Sequence, residues 1–60
     1  MEQLCSEAAA ARFLNLKERT LSRWRFVGKG PDYYKIGGAV RYRVADLLQF
    51  VESGRVTAND

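Results

Sequence analysis

Arginine and lysine are the residues of this sequence with the most informative chemistry. Eight of the ten lie between Lys17 and Arg43, together with two acidic residues, so this segment carries a net charge of +6 while the rest of the chain carries −3. A guanidinium group donates two parallel hydrogen bonds to a phosphate or to the acceptor edge of guanine. A basic centre between acidic ends therefore indicates a polyanionic partner. Charge alone leaves open the alternative of a merely solvated surface.

The residue types that catalysis and metal binding need are scarce. The chain contains no His and one Cys, which provide neither a zinc ligand set nor an internal disulfide. No activated nucleophile stands beside a base, and neither paired catalytic carboxylates nor a phosphate-cradling motif occurs. Cys5 has no activating neighbour and is expected to be a small core residue. We therefore expect a protein that is not an enzyme and that uses no metal, cofactor or small-molecule ligand.

The arginines at positions 19 and 23 are four residues apart, so a helix would place them on one face. At about 100° per residue, a helix over residues 18–27 has a packing side and an outward side. The packing side holds Leu21, Trp24 and Val27. The outward side holds Arg19, Ser22, Arg23 and Phe26. Both arginines can then point into one groove of a nucleic acid.

A preceding helix is predicted over residues 6–14, because Ser6 is a good N-cap, Glu7 suits the first turn and no helix breaker follows. Its core face holds Ala10, Phe13 and Leu14. Asn15 tolerates the left-handed conformation that ends helices. Two short helices joined by about three residues form the arrangement that places a recognition helix in a major groove, although other small helical bundles share this spacing.

A β-hairpin is predicted after the glycine- and proline-containing segment 28–31, which ends the second helix. Its strands cover residues 33–36 and 39–43, and the intervening Gly37-Gly38 suits a two-residue turn. Along the second strand, packing residues alternate with cations. The packing residues are Val40 and Tyr42, and the cations are Arg41 and Arg43.

A third helix is predicted over residues 44–53, with Asp46 near its start and Gly54 after its end. It is expected to bury, in part, Leu47, Leu48, Phe50 and Val51. Residues 1–60 are expected to form one domain with its core over residues 4–54 and with residues 55–60 frayed. No apolar run approaches the roughly 20 residues that cross a bilayer, and a lone Cys fits a reducing compartment, so we expect a protein in the cytoplasm.

A combination of short motifs covers residues 4–52. The motifs are Leu4-Cys5-Ser6, Ala10-Ala11, Leu14-Asn15-Leu16, Thr20-Leu21, Arg23-Trp24, Gly28-Lys29-Gly30-Pro31, Lys35-Ile36-Gly37-Gly38, Val40-Arg41-Tyr42 and Asp46-Leu47. Together they resemble the excisionase-like winged helix-turn-helix family, which is related to the DNA-binding head of the MerR-type regulators. The resemblance implies a mostly α-helical fold with about three helices and a two-stranded wing. Two positions depart from the family: Asn15 stands where many relatives have Gly, and Lys17 where many have the Ser that caps the second helix.

The resemblance also implies a function, namely binding of double-stranded DNA with the second helix in the major groove and the wing at an adjacent minor groove or phosphate backbone. Members include excisionases of phages and mobile elements, which bend DNA and direct recombination by a partner integrase, and small transcriptional regulators. The resemblance thus implies a bacterial or phage-encoded protein in the host cytoplasm. We expect an excisionase, since sixty residues leave no room for an effector region, with the regulator as the alternative. A third possibility is a protein-interaction module that uses Phe26, Tyr33 and the last helix without DNA.

Nine residues are the candidates for DNA contacts. Arg19, Thr20, Ser22 and Arg23 are assigned to the major groove, where arginine reads guanine. Lys17 and Arg25 are assigned to a phosphate or to the helix start. Lys35, Arg41 and Arg43 are assigned to the wing, from which Arg41 suits a narrow minor groove. The alternatives are a solubilising role for the exposed arginines, a structural role for Thr20, and an ion pair or packing over the core for Arg25.

The aromatic residues are expected to serve mainly as core. Trp24, Tyr34, Tyr42 and Phe50 are assigned to it. Phe26 and Tyr33 are expected to pack in part, with contact to a neighbouring protomer as the alternative. One such domain offers few base contacts, so we expect weak binding by a single copy and cooperative binding of several copies, arranged head to tail on repeated sites.

Overall fold

The computed structural model describes residues 3–58, which form three helices and three short strands. In chain order these are β1 (Leu4–Ser6), α1 (Glu7–Leu14), α2 (Glu18–Phe26), β2 (Tyr34–Ile36), β3 (Ala39–Arg43) and α3 (Val44–Ser53). The mostly helical winged helix-turn-helix architecture is thereby confirmed. Of the segment predicted to fray, residues 55–58 are described and follow α3 without regular secondary structure, and residues 59–60 lie outside the described residues. No described helix has both the length and the apolar character needed to cross a membrane.

The sheet has one strand more than the predicted two-stranded wing. Its order is β1-β3-β2, and both pairings are antiparallel. Residues of β1 lie opposite β3, with Cys5 paired to Tyr42 and Ser6 paired to Arg41. Three residues are too short to show the alternation that identifies a strand in a sequence. The extra strand ties the chain start to the base of the wing.

Helix α1 begins and ends by the local interactions that its sequence indicates. The Ser6 hydroxyl accepts a hydrogen bond from the Ala9 amide at 3.1 Å. Asn15 adopts the left-handed conformation with φ of 58°, and the amide of Leu16 donates to the Ala11 carbonyl at 2.8 Å. The helix therefore stops within one residue, and the chain turns directly into α2.

Helix α2 begins at Glu18 without a side-chain cap, as the Lys17 departure implies. The Lys17 carbonyl instead accepts hydrogen bonds from the amides of Thr20 and Leu21, at 3.0 and 3.3 Å. Helix α2 ends at Phe26, one residue before the predicted end, because the chain turns at Val27 and reaches a positive φ at Gly28. The bounds of α3 match the prediction.

The core lies where α1, α2 and α3 meet β3. Its buried apolar residues are Ala10, Ala11, Leu21, Tyr42 and Leu47. The small alanines let α2 approach α1 closely, and the rings of Trp24 and Phe50 pack with centroids 5.7 Å apart. Tyr42, which spans the core from β3, is 1% exposed.

Several residues that were expected to pack, wholly or in part, are largely exposed. Of those assigned to the core, Phe13 is 49% exposed, Val27 57% and Tyr34 43%. Of those expected to pack in part, Phe26 is 89% exposed, Leu48 53% and Val51 48%. Val27 lies beyond the last turn of α2, and Tyr34 points to the outer face of the sheet because its partner Arg41 alternates with the buried Tyr42. The helices and strands of residues 3–58 leave these side chains uncovered. The core assignments of Phe13, Val27 and Tyr34 were therefore wrong.

The wing turn uses the backbone freedom of two glycines. Gly37 and Gly38 have φ of 57° and 90°, so both central residues of the turn are in conformations that L side chains rarely adopt. Positive φ at both positions is the requirement of a type I′ hairpin turn, which matches the twist of the strands. The resulting register pairs Ile36 with Ala39 and Lys35 with Val40.

Candidate nucleic-acid interface

The outer face of α2 carries two exposed arginines, Arg19 and Arg23, one helical turn apart. Together with residues of the preceding turn they line an open depression of about 540 Å³. Its lining residues are Asn15, Leu16, Lys17, Arg19, Thr20 and Arg23. Three cations thus surround the first turns of α2, where the helix dipole also favours negative charge. This concave basic surface suits a phosphate backbone.

The cations of this surface are available to an external partner. Among residues 3–58, no ion pair joins Lys17, Arg19 or Arg23 to an acidic side chain. Glu18 is the acidic residue of the same helical turn and is exposed. Ser22 and Thr20 are half-buried beside the arginines. Their side chains are shorter, so their hydroxyls lie closer to the helix axis than the charged ends of the arginines do.

Arg25 lies on α2 but belongs to a different environment. Its Nε donates to Glu7 Oε2 at 2.9 Å and its Nη2 to Glu7 Oε1 at 3.3 Å, a bidentate pair between α2 and the start of α1. The Arg25 Nη2 also lies 3.4 Å from the Ser22 hydroxyl oxygen, and the guanidinium lies over the Tyr33 ring at 5.8 Å. The structure therefore places Arg25 in an ion pair, which was one of the alternatives to its assignment to DNA.

Tyr42 completes this polar network from the sheet. Its hydroxyl donates to Glu7 Oε2 at 3.0 Å, so the Glu7 carboxylate joins α1, α2 and β3. The hydrogen bonds from Arg25 hold the pKa of Glu7 below its usual value, and the Tyr42 hydroxyl adds to this against the opposing effect of burial. Burial, followed by the hydrogen bond to Glu7, raises the pKa of Tyr42 to about 12.

The three cations of the wing differ in their surroundings. Arg43 donates from Nε and Nη2 to the two carboxylate oxygens of Asp46, at 3.1 and 2.7 Å, and Asp46 is 7% exposed at the start of α3. Arg41 is exposed, and its Nη1 donates to the neighbouring Val40 carbonyl at 2.7 Å. Lys35 is exposed, and within residues 3–58 neither it nor Arg41 has an ion-pair partner.

Strand register places the two exposed wing cations on opposite faces of the hairpin. Lys35 lies opposite Val40, on the same side as the buried Tyr42 two residues along β3. Arg41 lies opposite Tyr34 and Ser6, on the outer side of the sheet. A groove of double-stranded DNA has a phosphate backbone on each side. A hairpin that enters the groove edge-on can therefore present one cation to each backbone.

The helix-turn-helix geometry agrees with a comparison against known protein families, in which the model for a helix-turn-helix domain matches residues 4–55. The chain belongs to this family. The helix-turn-helix family consists of excisionase-like small DNA-binding proteins and is typically non-enzymatic. Comparison with curated proteins gives no match. The resemblance drawn from the sequence motifs is confirmed, and family membership supports sequence-specific DNA binding by this chain.

Within the helix-turn-helix domain, the sequence predictions did not include the contacts of Glu7, Tyr42 and Asp46. Glu7 was considered as a partner of the helix dipole alone, and its actual partners are 18 and 35 residues away. The Arg43 and Asp46 pair carried a detectable signal, because opposite charges three residues apart at a helix start commonly meet. The sequence contains no comparable local signal for the Glu7 network.

Proposed function

We propose that this protein is a sequence-specific architectural factor for double-stranded DNA, an excisionase that acts with an integrase. The observation that carries the proposal is the group of cations around the first turns of α2, Lys17, Arg19 and Arg23, which have no ion-pair partner among residues 3–58 of this helix-turn-helix domain. A second helix with a cationic outer face is the element that such domains insert into the major groove. The excisionase role is supported by the excisionase-like character of the family.

The contacts are proposed residue by residue. Arg19 and Arg23 read base edges, guanine above all, because an arginine pairs bidentately with guanine O6 and N7. Ser22 and Thr20 are short donors for a phosphate or a base edge, and Lys17 contacts a phosphate where α2 enters the groove. Lys35 and Arg41 contact the two phosphate strands that flank the wing.

Two candidates from the sequence are reassigned in this proposal. Arg25 and Arg43 hold carboxylates of the framework, through Glu7 and Asp46, rather than DNA. A guanidinium that donates twice to a carboxylate would have to break that pair before it could bind a phosphate in the same way. These two arginines therefore act on DNA binding by fixing α2 and the wing.

The test is a salt-dependent titration on duplex fragments that flank the gene. Arg23→Ala is expected to relax base preference, since each bidentate contact contributes roughly 1–3 kcal/mol of discrimination. Lys35→Ala and Arg41→Ala are each expected to weaken binding on all sequences and to lower the salt slope by about 1, the effect of one lost phosphate contact. Arg55→Ala, which removes an exposed cation after α3, is the matched control and should change neither preference nor affinity by a comparable amount.

Several copies are proposed to bind repeated sites cooperatively, because one short helix and one wing reach few base pairs. Gel-shift titration on one site and on several repeats should show steeper binding on the repeats.

An excision reaction with the cognate integrase, with and without the protein, then tests the excisionase role. Specific binding without an effect on excision, but with repression of an adjacent promoter, would favour the regulator. Absence of any preferred fragment would overturn the DNA proposal in favour of a protein-interaction module.

A further inference from the structure

We propose that Phe26 is a specificity residue that contacts the C5-methyl group of a thymine, next to the base pair that Arg23 reads. This inference rests on the proposed function, since it requires α2 to lie in a major groove. Phe26 is 89% exposed on the last turn of α2. The two aromatic ring pairs among the described residues join other rings, Trp24 with Phe50 and Tyr33 with Tyr42.

The position of Phe26 on α2 matters more than its exposure, because single exposed apolar residues are common on protein surfaces. At 3.6 residues per turn, Phe26 lies about 20° around the helix from Arg19 and about 60° from Arg23. The phenyl ring therefore continues the row of the two arginines on one face. When α2 inserts these arginines into the major groove, Phe26 enters the groove on the same face of the helix.

The charges around Phe26 identify the kind of partner. Arg23 precedes it by three residues and Lys29 follows by three, and both are exposed without an ion pair among residues 3–58. An apolar protein surface that covered the ring would also have to accommodate these cations. Duplex DNA supplies phosphates for the cations and, in its major groove, a thymine methyl group for the ring. The combination favours DNA as the occupant.

The helix dimensions define which base the ring reaches. Arg23 and Phe26 are separated by a rise of about 4.5 Å along α2, close to the 3.4 Å rise of one base pair. The predicted thymine therefore lies one or two base pairs from the guanine contacted by Arg23. Burial of one methyl group corresponds to about 0.8 kcal/mol, so loss of that methyl should weaken binding about fourfold.

The experiment replaces thymines by deoxyuridines, one at a time, in a duplex with a single binding site. This substitution removes the C5-methyl and leaves base pairing intact. With wild-type protein, one replacement near the Arg23-dependent guanine should weaken binding about fourfold. With Phe26→Ala, the same replacement should have no effect, because the ring that contacts the methyl is gone. Phe26→Leu should restore part of the methyl dependence. The exposed position lets each variant fold, which circular dichroism verifies.

Three results would overturn the inference while leaving the proposed function intact. One is specific, Arg23-dependent binding that no deoxyuridine replacement weakens. Another is a methyl dependence that persists at full size in Phe26→Ala. The third is a Phe26→Ala defect that occurs on repeated sites but not on a single site, which would assign the ring to a contact between protomers. Failure of the proposed function gives a different result, namely no preferred duplex for any variant.

Discussion

The Glu7→Gln substitution tests whether the hydrogen bonds from Arg25 and Tyr42 to Glu7 support both the stability of the fold and DNA binding. The Glu7 carboxylate accepts two hydrogen bonds from Arg25 and one from Tyr42. The glutamine amide removes the charge and turns one acceptor oxygen into a donor nitrogen that faces another donor. Hydrogen bonds to charged groups contribute about 1.5–3 kcal/mol, and part of this is screened because the Glu7 side chain is 14% exposed. We expect a loss of about 2 kcal/mol of unfolding free energy.

The assay is thermal unfolding followed by circular dichroism. In a domain of this size a loss of about 2 kcal/mol lowers Tm by roughly 10 °C. The difference should also depend on pH. Because the pKa of Glu7 is lower in the folded protein, its contribution is present above the unfolded value near 4.5 and is lost as pH falls through the folded value. The two proteins should therefore converge in Tm at acidic pH.

DNA affinity distinguishes two effects of Glu7→Gln. Loss of the negative charge and loss of the hydrogen-bond network should change the affinity in opposite directions. Electrostatics alone predicts that removal of a negative charge strengthens DNA binding. Loss of the network instead loosens α2 against α1 and β3, and should weaken binding at temperatures where the variant is fully folded, without changing the salt slope. Glu52→Gln removes the same charge from an exposed position of α3 and is the control. An unchanged Tm for Glu7→Gln, or tighter DNA binding equal to that of the control, would refute the reasoning.

Three further predictions concern the core, the left-handed residue that ends α1, and the hydroxyl of Tyr42. Leu21→Ala should lower unfolding free energy by about 3 kcal/mol in urea titrations because Leu21 is 1% exposed, whereas Leu48→Ala, at a position 53% exposed, should lose less than about 1 kcal/mol. Asn15→Ala should destabilise by about 1 kcal/mol because φ is 58°, and Asn15→Gly should not; equal losses would show that φ is not the cause. Since the folded pKa of Tyr42 is about 12 against 10 when unfolded, wild-type stability should fall between pH 10 and 12. Tyr42→Phe should lack that component in pH-dependent unfolding, and parallel decline of both proteins would contradict the assignment.

Much of the backbone could be predicted because its signals are local. The Ser6 cap, the left-handed Asn15 and the Gly37-Gly38 turn each act on neighbouring residues, and each mark an element boundary in the structure. The bounds of α3 also match, over Val44–Ser53. Hydrogen bonds within one turn form independently of the rest of the chain, so they can be predicted from the sequence alone.

The candidate interface was predictable to the extent that helix periodicity determines which residues share a face. The position of Arg19 and Arg23 on one side of α2 follows from their spacing of four residues. Periodicity does not determine whether a side chain finds cover, and for that reason Phe13, Val27 and Tyr34 were wrongly assigned to the core. Whether a side chain is buried depends on whether another helix or strand packs against it.

The sequence by itself determined the order of the three helices and the wing hairpin, their approximate bounds, the basic centre of the chain and the family to which it belongs. The tertiary structure decided which cations have partners. Arg25 meets Glu7 across 18 residues of chain, and Tyr42 meets the same carboxylate across 35. Likewise, β1 is a strand because β3 lies beside it. Contacts over such separations arise when packing brings distant segments together, so no local pattern encodes them.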